Sequence, residues 1–384
     1  MKESTLSCVR DGRRFGLIWF GAAISLAEIE AGLWSRGSLS AVILGHVLGG
    51  LMLFVAGMIG ARTQKNGMEC TRAFFGKGGM TFFALANFLQ LIGWTAVMLS
   101  QGADAAKALL PGVPLWVLTA ILGALVVAWL FVGLRSFSLI STCTMTLLLL
   151  MVAVLTFRVF HGATPVPLEE APSFWSVFEL SLAMPLSWLP LISDYTREAK
   201  CPRTACATSA IVYTLGSIWM YAVGIGLARL GQDNIAAGIL HVNMGLWALF
   251  IVLVSTTTTT FLDAYSAGES IKALFAKVPP KAGGALVCLI GVVLSLAGIM
   301  ANYTDFLYLI SSLFAPMATV MIVAWLLKKT WIPGNILAFA AGFLAYQLCQ
   351  RFPTQCHSLP PSLTAIALAA ILALALNTLR GKRD

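Results

Sequence analysis

Apolar stretches of about 20 residues recur along the whole chain, with short polar segments between them. That length is what a helix needs to cross a lipid bilayer. We therefore predict an all-α polytopic membrane protein with twelve transmembrane helices. The predicted spans are 15–35, 39–61, 80–100, 113–134, 137–160, 174–196, 205–228, 242–265, 283–302, 303–327, 332–350 and 360–379.

The composition agrees with this pattern. The 384 residues are 59% hydrophobic and 11% charged, whereas about a quarter of the residues in a soluble domain are charged. So few charges cannot coat a soluble protein of this size, and we expect lipid to surround the chain.

The Lys and Arg residues predict the orientation. Twenty of the 25 fall in alternate intervening segments, beginning with the N-terminal tail. Basic residues concentrate on the cytoplasmic side of membrane proteins, so both termini are predicted in the cytoplasm, at a bacterial inner membrane. The net charge of +9 is therefore assigned to loops and not to nucleic-acid binding, and no protein partner is implied.

A Pro-rich segment at 161–173 is the longest predicted external loop. It separates two sets of five spans, at 15–160 and 174–327. The remaining ranges are a cytoplasmic tail at 1–14, two further helices at 328–379 and a C-terminal tail at 380–384.

The eight cysteines are scattered, with no CxxC and no clustering with histidine. Their spacing supports neither a disulfide nor a metal site. We expect all of them to be structural.

Carboxylates occur inside the first predicted span. Glu28 lies about 20 Å into it, at 1.5 Å per residue. Glu28 and Glu30 point about 200° apart on an ideal helix, so both can face one cavity only if the helix is locally unwound. Ionisable groups at this depth usually face a cavity.

The sixth span carries a second interruption. Pro185 and Pro190 flank Ser187 and Trp188, and each proline removes a helix hydrogen bond. Interrupted helices at matching places in two halves indicate an inverted-repeat transporter with a site near the midplane. The alternative is two ordinary kinked helices.

The eighth span contains six consecutive hydroxyl residues at 255–260, followed by Asp263. With carbonyls freed in the first span, some of these hydroxyls could coordinate Na⁺. The alternative is that they bond to carbonyls of their own helix. Asp263 is a candidate for substrate or proton binding.

Trp94 in the third span is a candidate for stacking on a flat ring, although a buried Trp is more often core packing. Together with Trp188 it could sandwich a planar heterocycle.

Several short motifs resemble the nucleobase–cation symporter-1 family, which comprises cytosine, purine, uracil, allantoin and hydantoin permeases. The motifs are WFGA at 19–22, GMECTRAFFGK at 67–77, GW at 93–94, SDYTR at 193–197 and YSA at 265–267. Residues 22–28 and the Thr-rich eighth span are similar to the branch of hydroxymethylpyrimidine transporters.

This resemblance implies a LeuT-like fold, a five-plus-five inverted repeat with two additional C-terminal helices. It also implies site residues. Substrate would contact Glu28, Trp94 and Trp188, while the carbonyls of Ile24 and Ala27 and the hydroxyls of Thr257 and Thr258 would bind a cation. The family usually has an Asn in the eighth helix, and since none occurs there, Asp263 or a Thr must replace it.

We therefore predict a symporter that imports a small planar heterocycle, most consistent with hydroxymethylpyrimidine, by alternating access. Substrate-binding residues are Glu28, Trp94, Ser187, Trp188 and Asp263. No cofactor is expected, apart from Na⁺ or H⁺ as a coupling ion. A cytosine or purine permease is the alternative, and a membrane-embedded enzyme is a remote one, since no loop is long enough for a catalytic domain.

Overall fold

We describe a computed structural model of the chain that covers residues 2–132, 140–161, 172–241, 246–353 and 359–380. These residues form α-helices and one short 3-10 helix, with no strand among them. The all-α prediction is therefore confirmed. The predicted connector lies largely outside the described residues.

Every predicted span contains a helix. In chain order the helices are α1 (Lys2–Ala23), α2 (Leu26–Ser35), α3 (Leu39–Thr63), α4 (Gly67–Leu109), α5 (Leu115–Val132), α6 (Ile140–His161), α7 (Phe174–Trp188), α8 (Ile192–Thr196), α9 (Pro202–Arg229), α10 (Ile235–His241), α11 (Leu246–Leu274), α12 (Pro280–Leu296), α13 (Tyr303–Leu327), α14 (Ile332–Arg351) and α15 (Pro361–Arg380). Helices α1 and α4 each begin 13 residues before the predicted starts at 15 and 80. The 3-10 helix, Ile299–Asn302, separates α12 from α13.

The first span is broken. The axes of α1 and α2 are bent by 51° at Ile24 and Ser25. Ser25 is extended, with φ −126° and ψ 154°, and its hydroxyl accepts a hydrogen bond from the backbone N–H of Glu28. Serine is a favoured helix N-cap because its oxygen satisfies a free N–H of the first turn. The cap therefore starts a new helix in the middle of the span.

The sixth span is also interrupted. Helix α7 contains Pro185 and ends at Trp188, and α8 begins at Ile192 after a short turn that includes Pro190. The two breaks occur in the first and sixth spans, the two in which the sequence predicts interrupted helices.

Helices α2 and α9 pack backbone against backbone. A Cβ on Gly32 would overlap the backbone of Tyr221, and a Cβ on Gly224 would overlap the carbonyl of Ile29. Small residues permit such close approach between membrane helices. This contact fixes α2, and with it Glu28, against α9.

Large apolar side chains cover the outside of the bundle. Leu215, Leu289 and Leu379 each expose more than 60% of their surface. Of the helices described, eight are long and apolar enough to cross a bilayer, and the bent pair α1–α2 would be a ninth. The prediction of twelve spans requires that α6, α11 and α12 cross as well.

The expectation that no cysteines pair is wrong. Cys8 and Cys201 form a disulfide, although 193 positions separate them. The backbone N–H of Cys201 also donates to Asp11. Since α1 packs along α9, distant parts of the sequence meet here, and local cysteine spacing carries no sign of such a pair.

Candidate functional site

A small cavity lies beside the break between α1 and α2. Helices α1, α2, α4, α7 and α11 contribute its lining. The lining residues are Ala22, Ser25, Glu28, Trp94, Met98, Met184, Ser187, Trp188, Thr259 and Asp263. All five residues predicted to bind substrate are thus brought together in one cavity.

Other aromatic rings hold the two cavity indoles in place. Trp188 contacts the ring of Trp19 edge-on at 5.4 Å, and Tyr213 at 6.1 Å, between centroids. Trp94 contacts Phe306 at 5.5 Å and Tyr303 at 6.0 Å. Edge-to-face contacts of this kind stabilise a ring orientation. Both indoles are therefore fixed by packing at the edge of the cavity.

Asp263 is the carboxylate with an available oxygen. Its side chain is buried, and Oδ2 has no hydrogen-bond partner among the residues that the structure describes. Leaving a buried polar atom without a hydrogen-bond partner is costly. The position is therefore suited to a ligand that donates hydrogen bonds.

Glu28 lines the same cavity, but its oxygens already have partners. Oε1 accepts from the hydroxyl of Tyr213 at 2.7 Å, and Oε2 accepts from Ser217 at 2.6 Å. Both partners lie on α9. Neither carboxylate oxygen of Glu28 is therefore without a hydrogen-bond partner.

His46 of α3 continues this network and has no role in the sequence-based site. Its Nε2 contacts Ser217, and its Nδ1 lies 3.0 Å from the carbonyl of Val42. His46 Nε2 is 4.0 Å from Glu28 Oε2. The sequence signal that could have identified His46 is an ionisable side chain inside an apolar span, since such side chains are usually functional.

Ser187 lies on α7, where its hydroxyl donates to the carbonyl of Met184 at 2.7 Å. Gln90 of α4 donates to the carbonyl of Ser187 at 3.0 Å. The hydroxyl oxygen of Ser187 retains lone pairs with which to accept from a ligand. A hydrogen bond thus joins α4 to the end of α7, just before the turn that follows Trp188, beside the cavity.

Four of the six hydroxyls in the run of α11 form two groups. Ser255 donates to the carbonyl of Ile24 at 2.8 Å, and Thr259 donates to that of Gly21 at 3.1 Å. Thr257 and Thr258 instead donate to carbonyls of their own helix.

Two carbonyls and two hydroxyls therefore form two hydrogen-bonded pairs near the end of α1, and hard cations prefer oxygen ligands. Ile24 belongs to this set, as the family resemblance implied. Ala27 lies in the first turn of α2, where an α-helix uses its carbonyl internally. The hydroxyls that reach α1 are those of Ser255 and Thr259.

Glu30 does not line the cavity. It lies one turn away from the break, and its carboxylate accepts from the backbone of Ile235 at the start of α10. The Glu28–Glu30 pair is thus divided between two sides of α2.

Comparisons with known proteins agree with this geometry. A family described as permeases for cytosine/purines, uracil, thiamine and allantoin matches residues 15–331. The cytosine permease of Escherichia coli strain K12 is 22% identical over 326 residues, which are 80% of this chain and 76% of the permease.

Among solved structures, the inward-facing transporter Mhp1 superposes with a TM-score of 0.74 at 19% identity, covering 96% of this chain and 90% of Mhp1. Mhp1 in a closed conformation with bromovinylhydantoin bound gives 0.73 at 19% identity, over 95% and 90%. A Na⁺-coupled sialic acid symporter gives 0.69 at 13% identity, over 97% and 90%. The chain has the fold of these transporters.

Proposed function

For a chain that belongs to the family of permeases for cytosine/purines, uracil, thiamine and allantoin, we propose symport of a small planar heterocycle with a cation. Membership in this family and the transporter fold make the chain a secondary transporter and not an enzyme. The observation that carries the proposal is the cavity at the helix break, which combines two fixed indoles with an unpaired carboxylate oxygen.

A planar ring suits the aromatic part of this cavity. Trp94 on α4 and Trp188 on α7 line the cavity from two different helices. Aromatic contacts of this kind contribute about 0.5–1.5 kcal/mol beyond the burial of area. The substrate ring stacks on these indoles, which select for flatness and aromaticity.

The carboxylate of Asp263 selects substrates by their pattern of hydrogen-bond donors. An aminopyrimidine carries an exocyclic amine beside a ring nitrogen. Asp263 accepts from the amine, and from the ring nitrogen when that nitrogen is protonated, in a charge-assisted pair. The hydroxyl oxygen of Ser187 accepts a further hydrogen bond from the substrate. Glu28, at the start of α2, contacts the substrate from the opposite side.

Within this class the proposed substrate is hydroxymethylpyrimidine or a related thiamin precursor. Thiamine is among the substrates that the family description names, and its pyrimidine half has the required amine. Cytosine or a purine is the alternative, supported by the likeness to cytosine permease.

Cations bind at the end of α1. The carbonyls of Gly21 and Ile24 and the hydroxyls of Ser255 and Thr259 are the ligands, and Na⁺ suits this all-oxygen set. Since the cation links α1 to α11, its binding orders the break that forms one edge of the cavity. Alternating access then carries both solutes across a bacterial inner membrane, with both termini in the cytoplasm.

Competition binding tests the substrate class. Purified protein is incubated with labelled hydroxymethylpyrimidine and unlabelled hydroxymethylpyrimidine, cytosine or adenine, in sodium or choline buffer. We expect hydroxymethylpyrimidine to compete most strongly, and sodium to raise its affinity. Stronger competition by cytosine or adenine would select the alternative substrate, and no binding of any ring would contradict the proposal.

A further inference from the structure

A second cavity lies where the start of α7 meets α13, the end of α14 and the start of α15. Its volume is about 340 Å³, within the range of small-molecule sites, about 300–1,000 Å³. Its lining includes Trp175 and Glu179 of α7, Tyr308 of α13 and Tyr346 of α14. Among the residues that the structure describes, the two cavities share no lining residue, so the second one is separate from the heterocycle site.

This cavity is near the predicted external surface of the membrane. The Lys and Arg distribution predicts that the segment before α7 and the segment between α14 and α15 are both external. Glu179 lies about 7.5 Å beyond the start of α7, at 1.5 Å per residue. Trp175, one turn earlier, is 39% exposed, and indoles are common at the level of lipid headgroups. The cavity is therefore at headgroup depth.

Glu179 is the acidic side chain in the lining, and it is 3% exposed. Its Oε1 accepts from the hydroxyls of Tyr346 at 2.9 Å and Ser362 at 2.5 Å. Its Oε2 accepts from the backbone N–H of Ser362 at 3.1 Å. A carboxylate has about four lone-pair positions. Three donors therefore converge on Glu179, and one position on Oε2 stays open to a ligand.

The charge of Glu179 has no partner among the ion pairs of the described residues. The acids in those pairs are Glu28, Glu198, Asp233 and Glu269. Arg351, which ends α14 next to the cavity, is exposed and forms none of these pairs. Tyr308 lies within electrostatic range of both Glu179 and Asp305, so a second acid adds negative charge here. Because a buried charge without a counter-charge is costly, a cation from outside the chain would stabilise this region.

Aromatic residues accompany the acid. Trp175, Tyr308 and Tyr346 all line the cavity. The Trp175 ring contacts Phe178 edge-on, with 5.8 Å between centroids, which stabilises its orientation. Aromatic rings attract an ammonium group placed over their faces within about 6 Å. A carboxylate with aromatic neighbours is thus suited to an organic ammonium ion more than to a metal ion, which would need further oxygen ligands.

We propose that this cavity binds a primary ammonium group, with Glu179 as the acceptor and Trp175 and Tyr308 as aromatic contacts. The open position on Oε2 accepts one N–H of the ammonium in a charge-assisted hydrogen bond. At headgroup depth the group is carried by phosphatidylethanolamine or by a small free amine, and the chemistry at Glu179 is the same for both. Neither ligand enters the heterocycle cavity, so the site does not depend on the proposed transport substrate.

Binding to the purified full-length protein tests the site. Short-chain phosphatidylethanolamine, short-chain phosphatidylglycerol and free ethanolamine are titrated separately in detergent by isothermal titration calorimetry. We expect an amine to bind, and phosphatidylglycerol, which has none, to bind at least tenfold more weakly than phosphatidylethanolamine. Tighter binding of phosphatidylethanolamine than of ethanolamine identifies a lipid site, and equal or tighter binding of ethanolamine identifies a site for the free amine.

Three variants connect the binding to this cavity. Glu179→Gln keeps the size of the side chain and removes its charge, so amine affinity should fall at least tenfold. Trp175→Leu changes a partly exposed side chain and leaves the hydrogen bonds of Glu179 in place. It should weaken binding about two- to fivefold, so the site stays testable if Glu179→Gln does not fold. Glu198→Gln, at an exposed acid on the predicted cytoplasmic side, is the matched control and should bind as wild type.

Three results would overturn the ammonium site. One is that neither amine binds the wild-type protein. Another is that phosphatidylglycerol binds as tightly as phosphatidylethanolamine while ethanolamine does not bind. The third is that the folded cavity variants, Glu179→Gln or Trp175→Leu, bind the amine as tightly as Glu198→Gln does. Each result leaves the proposed function unchanged, because heterocycle binding is measured with other probes at the other cavity.

Discussion

Asp263 and Glu28 look alike in the sequence and differ in the fold. Each is a carboxylate in an apolar span, and each lines the cavity. Glu28 is held by Tyr213 and Ser217, which are 185 and 189 positions away, while an oxygen of Asp263 stays unpaired. Sequence reasoning could find both acids, because charge inside a membrane is rare. It could not tell which acid is already satisfied, since that depends on contacts between distant helices.

Asp263→Asn removes the charge and keeps the shape of the side chain. Charge-assisted hydrogen bonds contribute about 1.5–3 kcal/mol, so we expect the affinity for hydroxymethylpyrimidine to fall by about ten- to hundredfold. Equilibrium binding to purified protein measures this. Asp305→Asn, at an exposed position in the first turn of α13, is the control and should bind normally. Equal affinity in both variants would exclude Asp263 from ring recognition.

At the scale of the helices, apolar patterning located almost every element. The predicted spans match α3, the pair α7 and α8 taken together, α9, α13, α14 and α15 to within a few residues. The register of α11 was beyond reach, because six consecutive hydroxyls carry no periodic signal. Packing against the end of α1 decides which hydroxyls turn towards it.

The two groups of hydroxyls on α11 lead to a prediction. Ser255→Ala or Thr259→Ala removes an oxygen that reaches the carbonyls of α1. We expect the sodium concentration for half-maximal heterocycle binding to rise by about tenfold, the effect of about 1.4 kcal/mol. Thr257→Ala and Thr258→Ala are matched controls, since their hydroxyls bond within α11. Heterocycle binding measured over a range of sodium concentrations, with choline as the replacement ion, tests this prediction. A larger shift in the two control variants would place the cation site at the hydroxyls of Thr257 and Thr258.

At the scale of the whole molecule, the ends of the helices are joined by charged contacts of unequal burial. Arg197, directly after α8, pairs with Glu269 of α11 at 2.9 Å, and the Glu269 side chain is 6% exposed. Arg14 of α1 pairs with Glu198 at 3.0 Å, where the side chains are 39% and 55% exposed. In the proposed alternating-access mechanism such contacts open and close, so the buried pair is the one whose loss should shift the balance between states.

Glu269→Gln leaves Arg197 without its counter-charge. Breaking a buried pair costs about 3 kcal/mol or more, whereas an exposed pair contributes about 0–1 kcal/mol. We expect hydrogen–deuterium exchange of α8 and of residues 197–201 to become faster in Glu269→Gln and to stay unchanged in Glu198→Gln. Similar exchange in the two variants would mean that the Arg197–Glu269 pair does not hold this end of the molecule closed.

The bond between Cys8 and Cys201 ties the start of α1 to the segment before α9. The distribution of Lys and Arg predicts that both cysteines face the cytoplasm, where glutathione and thioredoxin keep thiols reduced. In the living cell Cys8 and Cys201 would then be reduced thiols. In protein handled in air, the disulfide would tether α1, the helix that ends beside the cavity. Transport rates from preparations made without reductant would then describe a protein whose α1 is tethered, which differs from the reduced form expected in the cytoplasm.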